Sequence, residues 1–377
     1  MEITCLLASP AHPLIGQPRT AASLRKAYPP EGVRYYFLNG RVPRAPGNGE
    51  YAVTKGTALK LVADAFRIQG FSENVDLSHF VFWYLPRAAT SFWTYWLPGL
   101  IEKRIPKLAD LLEHFTKPWV QENDTSVSQF LEGYVGNAEG KWGWLVELSS
   151  EILNSKSNKG LITWSNWAAR GFEKDGVERE KVNVVPLPME ARPKSPEAYH
   201  KPAGSQKTVL FVGLDYWRKG GDTALRALKR VKKEVPNFKL IYVGRVPYEK
   251  VNDYKLDWIE RYDFLERDKL LKLYSSADVF FMPTRAEAYG LSILEAMAFG
   301  TPVVSTKVAA IPEIVPSGAG FLTNDEDEMV ERIADLISDE ELNQKIGTNA
   351  AKVVAQRHEP RSVSKQVYSV YANALGM

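Results

Sequence analysis

Two glutamates, Glu287 and Glu295, stand eight positions apart in a stretch that passes from a loop into a helix. An apolar run with strand character, residues 277–282, precedes them, and residues 301–305 begin another strand. The pattern therefore predicts a strand, loop, helix, strand crossover, which places the loop and the helix start at the carboxyl edge of a parallel sheet. Carboxylates held at such an edge can accept hydrogen bonds from the hydroxyls of a sugar or ribose.

The neighbours of Glu295 distinguish it from an ordinary surface glutamate. A glutamate on a helix usually faces water, and one near the helix start also interacts favourably with the helix dipole. Glu295 is instead flanked by apolar residues on both sides. The sequence therefore predicts a buried carboxylate that needs a partner.

A glycine-containing loop with two cations follows the first predicted strand of the second half. Gly213 ends this strand, and Arg218 and Lys219 precede two further glycines and a predicted helix. Glycine lets the backbone approach a ligand closely, and a helix N-terminus presents free N–H groups to an anion. Alone, the two cations would more often form an exposed turn. Because this loop and that of Glu287 fall on one sheet edge, together they predict a pocket for a nucleotide-diphosphate sugar.

Length and composition limit the class of protein. The 377 residues suggest about two domains. A net charge of +3 is too small to indicate nucleic-acid binding. Because Cys5 is the only cysteine, no disulfide can form within the chain. We expect neither a signal peptide nor a membrane-spanning helix, since no apolar run reaches about twenty residues. The predicted location is the cytoplasm, with peripheral contact to the inner face of the membrane as an open alternative.

Short apolar runs alternate with amphipathic stretches in both halves, which predicts an α/β fold with parallel sheets. The predicted domains are residues 1–187, a proline-rich linker at 188–206, residues 207–360, and a final helix at 361–377 that packs back on the first domain. The predicted strands lie near residues 3–7, 33–38, 79–84, 119–121, 161–163, 182–185, 208–212, 239–243, 279–282, 303–305 and 320–322. Helical patterns include residues 54–68, 98–115 and 362–375.

Over residues 208–322 the motifs resemble the retaining GT-B glycosyltransferases of family 4. The two glutamates match the Glu-x7-Glu signature of that family, and residues 294–298, 302–304 and 311–313 continue it in register. The resemblance implies a GT-B fold of two Rossmann-like parallel-sheet domains facing a central cleft. It also implies that the first domain binds the acceptor and the second the nucleotide sugar.

The family pattern also implies roles for individual residues. The donor sugar would be held by Glu287, Tyr289, Gly290 and Leu291, and the ribose by Glu295. The diphosphate would lie against the loop of Gly213, Arg218 and Lys219. Lys219 matches the family lysine directly. Leu214 stands where the family has an arginine, so Arg218 is the candidate to supply that charge.

On the acceptor side the match is weaker. The position of the family histidine falls on Asn123 or Asp124, after the strand that begins at residue 119; a turn at the strand end is an equally good interpretation. The glycine loop of the acceptor domain corresponds to Gly16. His79, at the start of a predicted strand, is better interpreted as a structural residue than as a catalytic one.

The activity implied by the resemblance is that of a retaining hexosyltransferase of the EC 2.4 class. It would move a sugar from a UDP- or GDP-type donor to an acceptor hydroxyl, with no metal and no cofactor besides the donor. Residues 325–327 are acidic, but capping of the following helix explains them better than metal binding. Two alternatives remain open: a nucleotide-sugar epimerase of the same fold, and a sugar-nucleotide-binding protein without catalysis.

The acceptor is an unknown sugar, lipid or small molecule. An aromatic group at residues 83–96 suits core packing best, although aromatic rings also stack on sugars and anchor proteins at membranes. The basic, partly apolar stretch at 97–112 is the second basis for the membrane alternative.

Overall fold

The structure of the chain, a computed structural model, describes residues 3–9, 23–39, 50–52, 75–81, 117–135, 143–195 and 205–377. The chain divides into two compact units, which we call the N-terminal unit (1–188 with 360–377) and the C-terminal unit (189–359). Gly16, the predicted helices at 54–68 and 98–115, and the aromatic and basic stretches at 83–112 lie outside the described residues. None of the helices that the structure describes has the length and apolar character needed to span a bilayer.

The N-terminal unit contains a seven-stranded parallel sheet in the order β3-β2-β1-β4-β5-β6-β7. Its strands are β1 (Ile3–Ser9), β2 (Val33–Asn39), β3 (Glu50–Ala52), β4 (Leu77–Val81), β5 (Trp119–Glu122), β6 (Asn158–Thr163) and β7 (Val182–Val184). Chain order reverses between β1 and β4, so the ends of these two strands border a crevice.

The C-terminal unit contains a six-stranded parallel sheet in the order β10-β9-β8-β11-β12-β13. Its strands are β8 (Lys207–Val212), β9 (Phe238–Val243), β10 (Ile259–Tyr262), β11 (Val279–Met282), β12 (Val303–Ser305) and β13 (Phe321–Leu322). The reversal of chain order lies between β8 and β11. The predicted α/β class with two parallel sheets is confirmed.

Residues 23–27 are helical, and further helices connect most of the described strands. They are α1 (Val127–Phe130), α2 (Gly143–Asn154), α3 (Asn166–Lys174), α4 (Gly221–Glu234), α5 (Arg267–Ser276), α6 (Leu291–Ala298), α7 (Ile311–Ile314), α8 (Glu326–Ser338), α9 (Glu340–Arg357) and α10 (Pro360–Leu375). A π-helical turn, Leu131–Val135, continues α1, and short 3₁₀ segments cover Arg179–Lys181 and Tyr248–Tyr254.

The last helix, α10, packs in the core of the N-terminal unit. Pro360 begins it, as expected of a residue that lacks a backbone donor. The apolar face of α10 lies against β1, β4, β5 and β6 in one cluster. The members of this cluster on the helix are Val363, Val367, Val370, Tyr371 and Ala374.

The described part of the proline-rich linker lies against the C-terminal unit. Met189 N–H donates to the His358 carbonyl at 2.8 Å, Arg192 N–H to Ala298 at 2.7 Å, and Lys194 N–H to Phe299 at 3.3 Å. These acceptors lie at the end of α9 and at the end of α6. The linker therefore satisfies carbonyl groups that the helices leave free.

Two strands, β3 and β10, were not predicted. β10 is an edge strand whose four residues are all partly exposed, so it lacks the buried apolar run by which the other strands were found. Its sequence, Ile259–Tyr262, places two adjacent charged residues between Ile and Tyr, so it has neither an apolar run nor the alternation typical of a strand.

A buried ion pair stabilises the end of β5. Glu122 is fully buried and accepts hydrogen bonds from Arg25 Nη2 at 2.9 Å and from Trp164 Nε1 at 2.6 Å. Arg25, itself 2% exposed, also donates to the Val185 carbonyl at 3.3 Å. Charges taken out of water in this way depend on each other, since either one alone would be strongly unfavourable.

Replacing Glu122 with Gln preserves the size of the side chain and removes the charge that faces Arg25. We expect the free energy of unfolding to fall by about 3 kcal/mol, because the remaining buried cation is left unpaired. Urea unfolding followed by tryptophan fluorescence measures the loss. Glu132→Gln is the matched control: Glu132 pairs with Lys174 at the surface and should contribute less than about 1 kcal/mol. Equal losses in the two variants would contradict the role of the buried pair.

Candidate functional site

Two loops meet at the carboxyl edge of the C-terminal sheet. One, residues 213–220, joins β8 to α4; the other, residues 283–290, joins β11 to α6. β8 and β11 are hydrogen-bonded neighbours, and chain order reverses between them. Loops at such a point diverge to opposite faces of the sheet and leave a crevice between them, where open α/β sheets bind ligands.

A buried cluster of two cations and one carboxylate occupies this point. Lys219 Nζ donates a hydrogen bond to Glu287 Oε2, and Arg218 Nη1 lies 4.0 Å from the same oxygen. Lys219 is 8% exposed and Glu287 2%. The structure thus brings together three residues that the sequence had assigned to diphosphate and sugar.

Burial dominates the electrostatics of Lys219. Desolvation, followed by the neighbouring Arg218 charge, lowers the pKa of Lys219 to about 7, against the opposing effect of Asp215. Arg218 lies between two carboxylates, with its Nη1 4.0 Å from Glu287 Oε2 and its Nε 3.2 Å from Asp215 Oδ2. An anion bound beside Lys219 would favour the charged form of that lysine.

Glycines allow the loop after β8 to fold this closely. Gly220 has a φ of 73°, in the left-handed region, and a Cβ on it would overlap the Pro283 carbonyl oxygen of the other loop. A Cβ on Gly213 would stand 2.8 Å from the Lys219 Cβ, and one on Gly221 2.6 Å from the Tyr216 ring. All three glycines are therefore required by close approach, and Gly220 is required by its backbone conformation as well.

Aromatic side chains support this loop from within the unit. Phe211 and Tyr242 stack with ring centroids 4.5 Å apart, and Tyr254 lies 4.8 Å from Tyr242. Tyr254 Oη donates to the Gly221 carbonyl at 2.8 Å. This packing fixes the start of α4, whose free N–H groups give the edge positive potential.

The other loop presents Glu287 and then begins α6. Gly290 is the N-cap residue, with a φ of 96°, and Leu291 is the first helical residue. Tyr289 is 2% exposed and packs inside the unit. The first N–H groups of α6 have no carbonyl one turn earlier in the helix, so this segment can donate hydrogen bonds to a ligand beside Glu287.

Glu295 lies one turn inside α6 and is buried, as predicted. Its partner is Arg267, the first residue of α5, whose Nη1 donates to Glu295 Oε1. Arg267 is about half exposed, with 49% of its side chain accessible. Tyr274 lies on α5, the helix that Arg267 begins. Burial, followed by the charge of Glu295, raises the pKa of Tyr274, so its phenol stays protonated.

Sequence reasoning missed Arg267 and Arg285. Arg267 begins a helix, where the dipole disfavours a cation, and that unfavourable placement was the available signal. Arg285 precedes the Glu287 motif by two residues and donates to Asp222 at 2.7 Å. No local pattern predicts this pair, because its members are 63 residues apart.

The acceptor-side candidates lie in the N-terminal unit. Asn123 and Asp124 follow β5 and are buried, with 7% and 3% exposure. Asn123 Oδ1 accepts from Gln121 Nε2 at 3.3 Å. His79 is in β4, paired in register with Leu7 and Val120. Gly16 lies outside the described residues.

The acidic run at residues 325–327 caps a helix, as predicted. Asp325 is the N-cap of α8, and its side chain accepts from the backbone N–H groups of Asp327 and Glu328. Glu326 and Asp327 pair with Arg226 and Arg230 on α4. Within the described ranges, no group of three or more His, Cys, Asp or Glu side chains is arranged to hold a metal ion.

Curated relatives are similar to this chain over between 39% and 80% of its length. Sulfoquinovosyl transferase SQD2 of Arabidopsis thaliana is 31% identical over 167 residues, which cover 42% of this chain and 32% of that protein. N-acetyl-alpha-D-glucosaminyl L-malate synthase of Bacillus anthracis is 29% identical over 319 residues, or 80% and 76% of the two chains. This chain spans between 32% and 60% of the length of the first three curated relatives.

Solved structures and a family model agree with these relatives. HepE of Anabaena, crystallised in complex with UDP and glucose, has a TM-score of 0.70 at 17% identity and covers 98% of this chain and 100% of its own. Residues 195–353 match the family model described as glycosyl transferases group 1. The chain therefore has the two-unit α/β fold of the GT-B glycosyltransferases, and its residues 195–353 are similar to the glycosyl transferases group 1 family.

Proposed function

We propose that this protein is a retaining hexosyltransferase of family 4 that moves a sugar from a nucleotide-diphosphate sugar to an acceptor hydroxyl. The observation that supports this most directly is the buried cluster of Lys219, Arg218 and Glu287 at the switch point of the C-terminal sheet. It combines cations for a diphosphate with a carboxylate for sugar hydroxyls: Lys219 is hydrogen-bonded to Glu287, and Arg218 lies 4.0 Å from the same carboxylate.

The two cations would bind the leaving diphosphate. Negative charge develops on the β-phosphate as the bond to the sugar breaks, and a fixed cation in a buried site stabilises that charge. Lys219 would donate to the phosphate oxygens, and Arg218 would add charge in place of the family arginine. Because side-chain cations supply this stabilisation, the proposed transfer needs neither a metal nor a further cofactor.

Glu287 would change partners when the donor binds. In the free protein it accepts a hydrogen bond from Lys219. A bound diphosphate would engage the Lys219 ammonium and leave Glu287 to accept hydrogen bonds from the donor sugar. The backbone N–H groups of Gly290 and Leu291 would donate to the same ligand, and the buried Tyr289 would hold that loop in place.

Glu295 would bind the ribose hydroxyls. Glu295 is buried, with 5% of its surface exposed, and its carboxylate is neutralised by the half-exposed Arg267. The complex of HepE with UDP and glucose supports a UDP-type donor for this chain, with a GDP-type donor as the other candidate.

The proposed reaction exchanges two bonds at the anomeric carbon. The bond to the β-phosphate oxygen breaks, the bond to the acceptor oxygen forms on the same face, and the acceptor proton passes to the leaving phosphate oxygen. In the N-terminal unit, Asp124 and Asn123 would orient the donor or the acceptor, and the Gly16 loop would contact the acceptor. His79, inside β4, is the weakest of these candidates. The acceptor is a sugar, a lipid or a small molecule.

Replacing Lys219 with Ala should lower turnover by about two to three orders of magnitude, since it removes one donor from the transition state. Release of free UDP or GDP from a panel of nucleotide sugars, with and without acceptors, measures turnover. Lys229→Ala, an exposed lysine on α4, is the control and should leave turnover unchanged. Equal turnover in the wild type and Lys219→Ala would exclude the assignment. An altered sugar nucleotide formed without any acceptor would favour the epimerase, and donor binding without turnover would favour the non-catalytic protein.

Donor binding should also take up a proton. At about pH 8, Lys219 with a pKa of about 7 is mostly neutral, and a bound diphosphate favours its charged form. Titration calorimetry with UDP, in buffers of different ionisation enthalpy, should give an uptake approaching one proton per site. Lys219→Arg stays charged at this pH, so its uptake should be close to zero. The same uptake in both proteins would assign the proton to another group.

A further inference from the structure

Arg285 joins the two loops of the site and belongs to neither of the motifs described above. Its guanidinium donates to both carboxylate oxygens of Asp222, each at 2.7 Å, and to Thr223 Oγ1 at 3.0 Å. The same group donates to the Trp217 carbonyl at 2.5 Å. Asp222 and Thr223 begin α4, and Trp217 lies in the loop after β8. One side chain from the second loop therefore contacts both the first loop and the helix that follows it.

The backbone around Arg285 makes the same connection. Its N–H donates to the Arg218 carbonyl at 2.8 Å, and Thr284 Oγ1 donates to that carbonyl at 3.0 Å. In return, Arg218 Nη1 donates to the Ala286 carbonyl at 3.0 Å. The two loops are thus linked by hydrogen bonds in both directions, immediately beside Lys219 and Glu287.

The bidentate contact with Asp222 is geometrically specific. A planar guanidinium that meets both oxygens of a carboxylate fixes direction as well as distance, which a lysine cannot do. Despite partial burial, which acts in the opposite direction, the Arg285 guanidinium lowers the pKa of Asp222. Asp222 therefore stays charged near neutral pH, and Arg285 neutralises a carboxylate that would otherwise face an anion at the start of α4.

We propose that Arg285 is a positioning residue, which holds the loop of Arg218 and Lys219 against the loop of Glu287 in the geometry that receives the diphosphate. This inference rests on the proposed function for its ligand, but the loop geometry can be tested without any ligand. Arg285 is 48% exposed on its side chain and contributes little to the apolar core, so its replacement should leave the unit folded.

Hydrogen exchange of the unliganded protein tests the loop geometry. The backbone N–H groups of Lys219, Gly220 and Gly221 are hydrogen-bonded within the loop. In Arg285→Gln they should exchange at least about tenfold faster, while those of β8 keep the wild-type rate. Arg285→Lys retains the charge but cannot make the bidentate contact with Asp222. Its loop N–H groups should exchange at a rate between those of the wild type and Arg285→Gln. Arg230→Gln removes an ion pair about two turns further along α4 and should change nothing.

Calorimetric titration with UDP and GDP tests the consequence for binding. Arg285→Gln should weaken nucleotide binding by about tenfold or more, and Asp222→Asn should have a similar effect. Because both side chains act through one contact, the double variant should be no weaker than the weaker single variant. Loop exchange at the wild-type rate in Arg285→Gln would overturn the inference, whatever the protein binds.

The two proposals fail in different ways. If the wild type binds neither nucleotide while loop exchange rises as expected, the proposed function is wrong and the connecting role of Arg285 stands. If the wild type binds UDP or GDP and Arg285→Gln binds it equally well, the positioning role is wrong and the proposed function stands.

Discussion

The placement of two cations and one carboxylate in a buried crevice is the constraint on which the C-terminal unit depends. Buried charges need partners: Lys219 and Glu287 pair with each other across the two loops, and the partly exposed Arg218 lies between Glu287 and Asp215. The sheet makes this possible, because β8 and β11 are neighbours in space although a strand pair and two helices separate them in sequence. Glycines at 213, 220 and 221 then permit the close approach.

Helix α6 connects this cluster to the rest of the unit. Its start presents backbone donors beside Glu287, its interior holds Glu295 against Arg267, and its end receives the linker. The N–H groups of Arg192 and Lys194 bond to the last carbonyls of this segment. The eight residues of α6 are almost all buried, so the helix forms a rigid support for the groups at its ends.

The N-terminal unit places different chemistry at the end of its own strands. Three consecutive buried polar residues, Glu122, Asn123 and Asp124, lie at the end of β5. Arg25 neutralises Glu122. Polar groups in such a position have few alternative conformations, because each must keep its hydrogen bonds. Asn123 and Asp124 are therefore held in a polar interior, at the bend that follows β5.

The sequence by itself determined the elements of the C-terminal unit and the residue types at its edge. Buried strands such as β8 and β11 are local apolar runs, and the glycines and Glu287 stand at their ends in the linear chain. The sequence also predicted that Glu295 needs a partner, but not that Arg267 provides it. Only the tertiary structure decided that Lys219 contacts Glu287, 68 residues away, and that Arg285 binds Asp222, 63 residues away. Such pairs follow from the order of the strands in the sheet, and the local spacing of residues along the chain does not predict that order.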